Sequence, residues 1–204
     1  MRIKRSFFTK DTIFVAKALL GKVIVRKYKD KKILGKIVET EAYIGPKDKA
    51  SHAYLGKKTE RNKAEFFIGG HIYIYLVYGM YWQLNISTSK EEKPECVLIR
   101  AVEPLIEKNN LSLKEMKNLS NGPGKVCRYF KLDKSFYGED LTKSKRIYLD
   151  DPLARKINGK IVYSKIADSK IKRTSRIGID YAGPYWSKIK WRFYIKDNPF
   201  VSKK

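Results

Sequence analysis

Two glutamates separated by one residue are the first candidates for catalysis in this chain. Glu39 and Glu41 lie in a run with the alternation of a β-strand, so both side chains leave the same face, roughly 6.6 to 7 Å apart at the backbone. Carboxylates near that spacing suit hydrolysis of a glycosidic bond by single displacement, in which one of them activates a water molecule. Taken alone, two glutamates in a lysine-rich chain are more often ion-pair partners of the surrounding lysines. Tyr43, next on the same face, favours a site.

A tyrosine-rich segment, residues 71–87, supplies the second group of candidates. Successive side chains of a strand point to opposite faces, so this segment has one aliphatic face and one aromatic face. The aliphatic face carries Ile72, Ile74 and Leu76, and the aromatic face carries His71, Tyr73 and Tyr75. Gly79 permits a tight reversal, after which apolar and polar residues alternate again: Trp82, Leu84 and Ile86 against Gln83, Asn85 and Ser87. The turn carries Tyr78, Met80 and Tyr81, where small polar residues are usual. A bulky tip suits a wedge for a base stack, although tyrosines also favour strands for packing reasons alone.

The overall charge indicates the kind of partner. The chain has 204 residues, 45 Lys and Arg against 21 Asp and Glu, and a formal net charge of +24. Such an excess points to a polyanion, either nucleic acid or an acidic membrane surface. The aromatic content of 13% favours nucleic acid, because bases stack on aromatic rings and lipid headgroups do not.

The sequence also argues against several classes of protein. No apolar run approaches the roughly 20 residues of a membrane-spanning helix, so we expect a cytoplasmic protein that is not membrane-bound, nucleoid-associated if bacterial. Cys96 and Cys127 form no CxxC pair, and His52 and His71 are the two histidines, so we expect neither a metal site nor a disulfide framework.

The chain reads as one mixed α+β domain over residues 1–204, with helices around an antiparallel β core (a curved sheet or partial barrel) and a protruding tyrosine hairpin. Helices are predicted over residues 9–20, capped by Thr9, over 59–67, capped by Thr59, over 111–119, and after residues 121–125 to about residue 130. Strands are predicted over residues 22–29, 33–43, 95–102, 147–149, 176–180 and 191–195, with loop over 150–173. In the strand over 33–43, one face is expected to carry Ile37, Glu39, Glu41 and Tyr43.

The run Gly122-Pro-Gly-Lys125 invites comparison with a phosphate loop. It does not fit, because the glycine spacing differs and Val126 stands where a serine or threonine should hold magnesium. Lys125 at the start of a helix can still contact a backbone phosphate.

Several motifs, in order along nearly the whole chain, resemble the alkyladenine (3-methyladenine) DNA glycosylase family. They include Val38-Glu-Thr-Glu-Ala-Tyr-Ile-Gly-Pro46, Tyr73-Ile-Tyr-Leu-Val-Tyr-Gly-Met80, Asn85-Ile-Ser87, Val97-Leu-Ile-Arg100 and Asn198-Pro-Phe-Val-Ser202. The blocks Glu-Thr-Glu-Ala-Tyr and Tyr-Gly-Met are specific in combination.

The resemblance implies a role for each candidate residue. Glu41, rather than Glu39, is implied as the catalytic base that activates water, with Arg100 holding that water and orienting the carboxylate. The implied base pocket consists of Tyr43, His52, Tyr73, Tyr75 and Asn85, with Tyr73 steadying His52 and Asn85 disfavouring undamaged guanine. Tyr78 and Met80 are implied to intercalate into DNA. The implied contacts to the DNA backbone are Thr59, Tyr81, Lys125 and Lys134.

The function implied is that of a monofunctional DNA glycosylase, a monomer without metal or cofactor. It would release alkylated or deaminated purines of the 3-methyladenine, 7-methylguanine and hypoxanthine type from double-stranded DNA, the first step of base excision repair. Two alternatives stay open at this point: a non-catalytic nucleic-acid-binding module that stacks bases on the same tyrosines, and an inactive damage sensor with the same fold.

Overall fold

An eight-stranded antiparallel sheet, curled into a half-barrel, is the centre of the computed structural model, which describes residues 1–106 and 111–203. Its strands are β1 (Val23–Tyr28), β2 (Lys31–Ile44), β3 (Ile72–Val77), β4 (Tyr81–Ser87), β5 (Glu95–Pro104), β6 (Ile147–Asp150), β9 (Ile171–Thr174) and β10 (Arg192–Ile195). The order is β3-β4-β5-β2-β1-β6, and β10 pairs with β2 and β9. A separate hairpin joins β7 (Arg155–Ile157) to β8 (Lys160–Val162). The predicted α+β class with an antiparallel core is confirmed.

The long strand β2 holds the two halves of the sheet together. Along one edge it pairs with β5, and along the other its first half pairs with β1 and its second half with β10. Glu41 is paired with Leu98 of β5 and with Arg192 of β10. The half of β2 that carries the two glutamates therefore lies between two neighbouring strands, which hold its backbone rigidly.

A β-bulge at Val38 changes which residues of β2 share a face. The register shifts between Ile37 and Glu39, which pair with Val102 and Ala101 in succession, so Val38 is the extra residue. Ile37 then packs in the main core with Ala42, while Val38 packs in a separate cluster with Phe200. The expectation that Ile37 shares the face of the two glutamates is therefore wrong, because strict alternation ends at the bulge.

Five α-helices are described: α1 (Arg5–Phe8), α2 (Thr12–Ala18), α3 (Leu113–Ser120), α4 (Pro123–Phe130) and α5 (Gly183–Lys188). The first predicted helix is wrong at its start, because Asp11 caps α2 by accepting from the Phe14 amide and Thr9 ends α1 instead. Helix α3 begins with a capping box between Ser112 and Glu115. The main core brings α2 and α4 against the sheet, with Val15, Ala16, Val126 and Phe130 packed among the aliphatic residues of the strands.

Three further predictions of local structure are wrong. Residues 176–180 form a loop and the start of a 3₁₀ turn rather than a strand. Residues 150–173, predicted as loop, contain β7, β8 and most of β9. Thr59 caps no α-helix, since its amide donates to the Asn62 side chain and a 3₁₀ turn follows over Lys63–Phe66. In the part of the chain that the structure describes, no helix has the length and apolarity needed to cross a membrane.

Candidate active site

A cavity of about 690 Å³ opens beside the tyrosine hairpin. Its walls come from the second half of β2, from β3, β4 and β5, and from the loop over residues 177–179. Small-molecule sites in proteins typically enclose about 300 to 1,000 Å³, so the space suits one compact organic group. The lining combines aromatic rings with a few buried polar groups, and the sequence-predicted pocket residues meet there.

Glu41 lies directly behind the cavity wall and is fully buried. Its Oε2 accepts a hydrogen bond from the Tyr43 hydroxyl at 2.8 Å, and its Oε1 accepts one from the Ile177 amide at 2.8 Å. The Arg100 Nη1 lies 3.3 Å from the same Oε1. All three of these partners line the cavity. The carboxylate is thus held in one orientation at the edge of the cavity, with its charge balanced by a guanidinium.

Glu39 has a different environment from Glu41 although both leave the same face of β2. The Arg192 Nε donates to its Oε1 at 2.6 Å, and the amide of Ser202 donates to its Oε2 at 2.7 Å. The Ser202 hydroxyl adds a third hydrogen bond at 2.9 Å. Glu39 therefore anchors the C-terminal segment to the sheet, and none of these three contacts belongs to a residue of the cavity wall.

Arg100 connects the two carboxylates. Its Nε lies 3.4 Å from Glu39 Oε1, and its Nη1 lies 3.3 Å from Glu41 Oε1. The side chain is nearly buried yet contributes to the cavity wall. Because its guanidinium is placed between two fixed anions, its position is determined by them, and it in turn limits the movement of Glu41.

The aromatic walls of the cavity are formed by Tyr43 of β2 and by Tyr73 and Tyr75 of β3. His52 and Tyr75 meet edge to face, with ring centroids 4.6 Å apart. Behind them the Tyr73 hydroxyl lies 2.6 Å from His52 Nδ1, so the two share a hydrogen bond. The ring of Tyr43 is covered by the Arg176 guanidinium, 4.7 Å from its centroid.

Two ionisable groups in these walls are held neutral. Enclosure of the imidazole in the wall, with Arg61 nearby, lowers the pKa of His52 to about 4, although the ring is exposed on the cavity side. Enclosure of the Tyr43 hydroxyl, with the Glu41 charge beside it, raises its pKa well above the usual value. At neutral pH the first ring therefore carries no charge, and the Tyr43 hydroxyl keeps the proton that it donates to Glu41.

The floor of the cavity is polar. Asn85 is buried there, with its Nδ2 donating to the Gln83 carbonyl at 3.3 Å. Cys96 lies between Asn85 and Glu65, with its Sγ 3.9 Å from Asn85 Oδ1 and 3.2 Å from Glu65 Oε1. Asn85 was predicted as a pocket residue, whereas Glu65 was not, because its only signal is a carboxylate within the otherwise apolar run Ala64-Glu-Phe-Phe67.

The tip of the hairpin projects beside the mouth of the cavity. Tyr78 and Gly79 both have positive φ, which is the geometry of a type I′ turn, and the Met80 amide bonds back to the Val77 carbonyl. Tyr78 is 86% exposed and Met80 is 67% exposed. Because both side chains are mostly exposed, they do not contribute to a hydrophobic core. The tip is therefore a surface suited to contact with a partner.

The four residues predicted to contact the DNA backbone differ in their surroundings. Tyr81 is exposed and packs against Gly124, where an added Cβ would come within 3.0 Å of its ring. Lys125 follows in α4 and donates to the Asn121 side chain at 2.8 Å. Thr59 and Lys134 are exposed, and neither lines the cavity. A contact of these residues with DNA stays a prediction.

The loop over residues 176–180 contributes to the site although the sequence predicted a strand there. Both terminal nitrogens of Arg176 donate to Asp48, with Nη2 2.9 Å from Asp48 Oδ1, and Nη1 also donates to the Ala42 carbonyl. This buried ion pair fixes the loop against β2, and so the next residue, Ile177, presents its amide to Glu41. Nothing in the local sequence connects residues 48 and 176, and only the fold brings them together.

Comparison with known proteins gives a consistent picture over the whole chain. A family model described as methylpurine-DNA glycosylase matches residues 6–199. A protein of Clostridium novyi (strain NT) is 47% identical, covering 100% of this chain and 99% of its own length. Proteins of Clostridium perfringens (strain SM101 / Type A) and Clostridioides difficile (strain 630) are 45% and 44% identical, over 100% and 95% of this chain and 100% of their own lengths. All three carry the name "Putative 3-methyladenine DNA glycosylase".

Proposed function

The chain belongs to the methylpurine-DNA glycosylase family, and from this premise we propose that it rotates alkylated or deaminated purines out of duplex DNA and hydrolyses their N-glycosyl bonds. It is a DNA glycosylase, a hydrolase of N-glycosyl bonds that acts in DNA repair. One observation carries the proposal: Glu41 is a buried carboxylate whose three fixed partners all line a cavity walled by aromatic rings.

The proposed reaction begins with the damaged base leaving the stack, which costs a few kcal/mol and least for a damaged pair. Stacking between Tyr43 and the wall of His52 and Tyr75 offsets this cost by roughly 1 to 3 kcal/mol per base. Many alkylated purines are cationic, and a cation over an electron-rich ring adds about 0.5 to 2 kcal/mol. The pocket therefore favours alkylated purines such as 3-methyladenine and 7-methylguanine.

Glu41 is the proposed general base of the hydrolysis. It takes a proton from a water molecule as the oxygen attacks the sugar carbon, the bond from that carbon to the base breaks, and the base keeps the bonding electrons. A cationic base is a good leaving group, so the enzyme mainly has to position the water and the carboxylate. Tyr43, Arg100 and the Ile177 amide hold Glu41 in the orientation that this step requires.

Binding of the duplex follows from the hairpin tip and the basic surface. We propose that Tyr78 and Met80 enter the stack from the minor groove and fill the space that the rotated base leaves. The net charge of +24 supplies affinity for the phosphate backbone that does not depend on sequence. One chain supplies the cavity, the carboxylate and the wedge, so we propose that the protein acts as a monomer. Because its substrate is DNA, we propose that it acts in the cytoplasm or at the nucleoid.

The test is base release from duplex DNA that carries a single hypoxanthine or a methylated adenine. Alkali then cleaves the abasic sites, and the cut strands are counted. We expect release by the parent protein and its loss in Glu41→Gln, with binding to the same duplex retained, because the amide cannot accept a proton from water. The exposed Glu91→Gln serves as the matched control and should retain activity.

Binding without release in either protein would overturn the proposal and favour a non-catalytic module or a damage sensor. Equal activity of the parent and Glu41→Gln would contradict the role of this carboxylate while leaving the activity itself in place.

A further inference from the structure

Glu65, at the floor of the cavity, is a buried carboxyl that the proposed reaction does not use. It belongs to the 3₁₀ turn Lys63–Phe66 and is 2% exposed. Its Oε1 accepts from the Cys96 thiol at 3.2 Å. Its Oε2 is buried and has no hydrogen-bond partner among the residues that the structure describes. The Asn62 side chain is close enough to lower the pKa of Glu65, but its amide nitrogen donates to the carbonyls of His52 and Lys57 rather than to Oε2.

A buried polar atom without a partner is costly, which suggests that a ligand supplies the missing hydrogen bond. The cost is larger when the unpaired atom belongs to a charged group. Glu65 lines the cavity, and through Cys96 it is continuous with Asn85 on the same floor. The edge of a purine stacked between the aromatic walls would face this row of polar groups.

We propose that Glu65 is a specificity-determining residue, whose free carboxylate oxygen accepts a hydrogen bond from an amino group on the edge of the bound purine. This inference rests on the proposed function. An ionised Glu65 favours a cationic base with an amino group, such as 3-methyladenine, through both charge and hydrogen bonding. It opposes a base with a carbonyl oxygen at that position, such as hypoxanthine, because two acceptors then face each other.

The preference should depend on pH, since Glu65 changes charge near neutrality. Burial raises the pKa of Glu65 from 4.5 to about 7 and outweighs Cys96 and Asn62, which lower it, while the Asp48 charge adds a smaller increase. Titratable groups face it from several elements: Cys96 on β5, Tyr73 and Tyr75 on β3, Asp48 after β2, and Tyr137. Tyr73, Tyr75 and Cys96 have raised pKa values and stay neutral. Below its pKa, Glu65 becomes a donor and can accommodate a carbonyl oxygen.

The experiment compares kcat/KM for release of 3-methyladenine and of hypoxanthine from duplex DNA, in the parent and in Glu65→Gln. The ratio of kcat/KM for 3-methyladenine to kcat/KM for hypoxanthine is measured from about pH 5.5 to about pH 8.5, and each rate is corrected for uncatalysed loss of the base. Effects common to both reactions, including those of Glu41, cancel in this ratio. In the parent, we expect the preference for 3-methyladenine to rise at least about tenfold through neutrality, the effect of a hydrogen bond to a charged group. In Glu65→Gln the ratio should be flat, and at the alkaline end it should lie about tenfold below that of the parent. Glu91→Gln should follow the parent.

The outcomes separate the two proposals. If the parent releases both bases and the ratio has the same pH profile in the parent and in Glu65→Gln, the role of Glu65 is overturned and the glycosylase activity is left intact. Absence of release of either base by the parent would overturn both. Thermal unfolding of Glu65→Gln shows whether the variant is folded, and a folded variant with a flat, lowered ratio supports the inference.

Discussion

Replacing Glu65 by Gln should stabilise the folded protein at alkaline pH and have little effect at acid pH. The substitution keeps the size of the side chain and removes its ability to ionise. Burial and the unpaired Oε2 make ionisation unfavourable in the folded state, while the unfolded chain ionises this residue freely. The parent therefore pays an increasing free-energy cost as the pH rises, and the glutamine variant does not.

The size of the effect follows from the pKa. The pKa of Glu65 is about 7 in the folded state against 4.5 in the unfolded chain, and this difference corresponds to about 3 kcal/mol above about pH 8. Because the pKa of Glu65 is raised in the folded state, the stability contributed by its protonated form is fully present below about pH 4.5. This contribution is lost as the pH rises through about 7. Most of this cost should appear between about pH 5 and about pH 8.5.

Urea unfolding, followed by tryptophan fluorescence, measures this difference. At each pH, the free energy of unfolding of the parent is subtracted from that of Glu65→Gln. The contributions of the other ionisable groups cancel in this difference. The exposed Glu91→Gln should show a difference that stays nearly constant with pH. A constant difference for Glu65→Gln as well would mean that Glu65 titrates like an exposed carboxyl, and the reasoning from its burial would then be wrong.

Three further predictions test other parts of the molecule. Lys22→Met should lower the free energy of unfolding by about 3 kcal/mol or more in urea, because it leaves the fully buried Asp151 without its ion-pair partner, whereas the exposed Lys31→Met should change it little. Tyr78→Ser should weaken binding to damaged duplex DNA about tenfold or more while changing binding to single strands less, and an equal loss on both in a titration would contradict the wedge. The logarithm of the affinity for undamaged duplex should fall linearly with the logarithm of the salt concentration, and an affinity independent of salt would contradict binding through the phosphates.

The pattern of the strands was predictable because alternation reports which face is buried. The apolar residues Ile72 and Ile74 of β3 and Leu84 and Ile86 of β4 enter the core as predicted. Of the residues on the opposite faces, Tyr73, Tyr75, Gln83 and Asn85 line the cavity. The prediction for Leu76 is wrong, because this side chain lies on the cavity wall at the end of β3. The same rule failed at Val38, since a bulge leaves no mark on the hydrophobic pattern. It failed again at residues 176–180, whose apolar residues serve a loop that is held by the Arg176–Asp48 ion pair.

The spacing of Glu39 and Glu41 identified a carboxylate pair but did not distinguish its members. That distinction came from the resemblance to a known family, and the structure supplies a physical difference between the two. Glu39 is bound by Arg192 and Ser202, more than 150 residues away along the chain. Glu41 is bound by groups of the cavity wall. Glu65 was missed because a single glutamate in an apolar run has no periodicity to reveal it.

By itself, the sequence determined the class of the fold, the two aromatic strand faces and the strong positive charge, because these depend on residue type and on contacts between near neighbours. The tertiary structure alone decided which carboxylates have an ion-pair partner, which carboxylate oxygen lacks a hydrogen-bond partner, and which loop amide donates to Glu41. Those properties depend on partners that are distant in the chain, so burial and pairing emerge only when the sheet closes around the cavity.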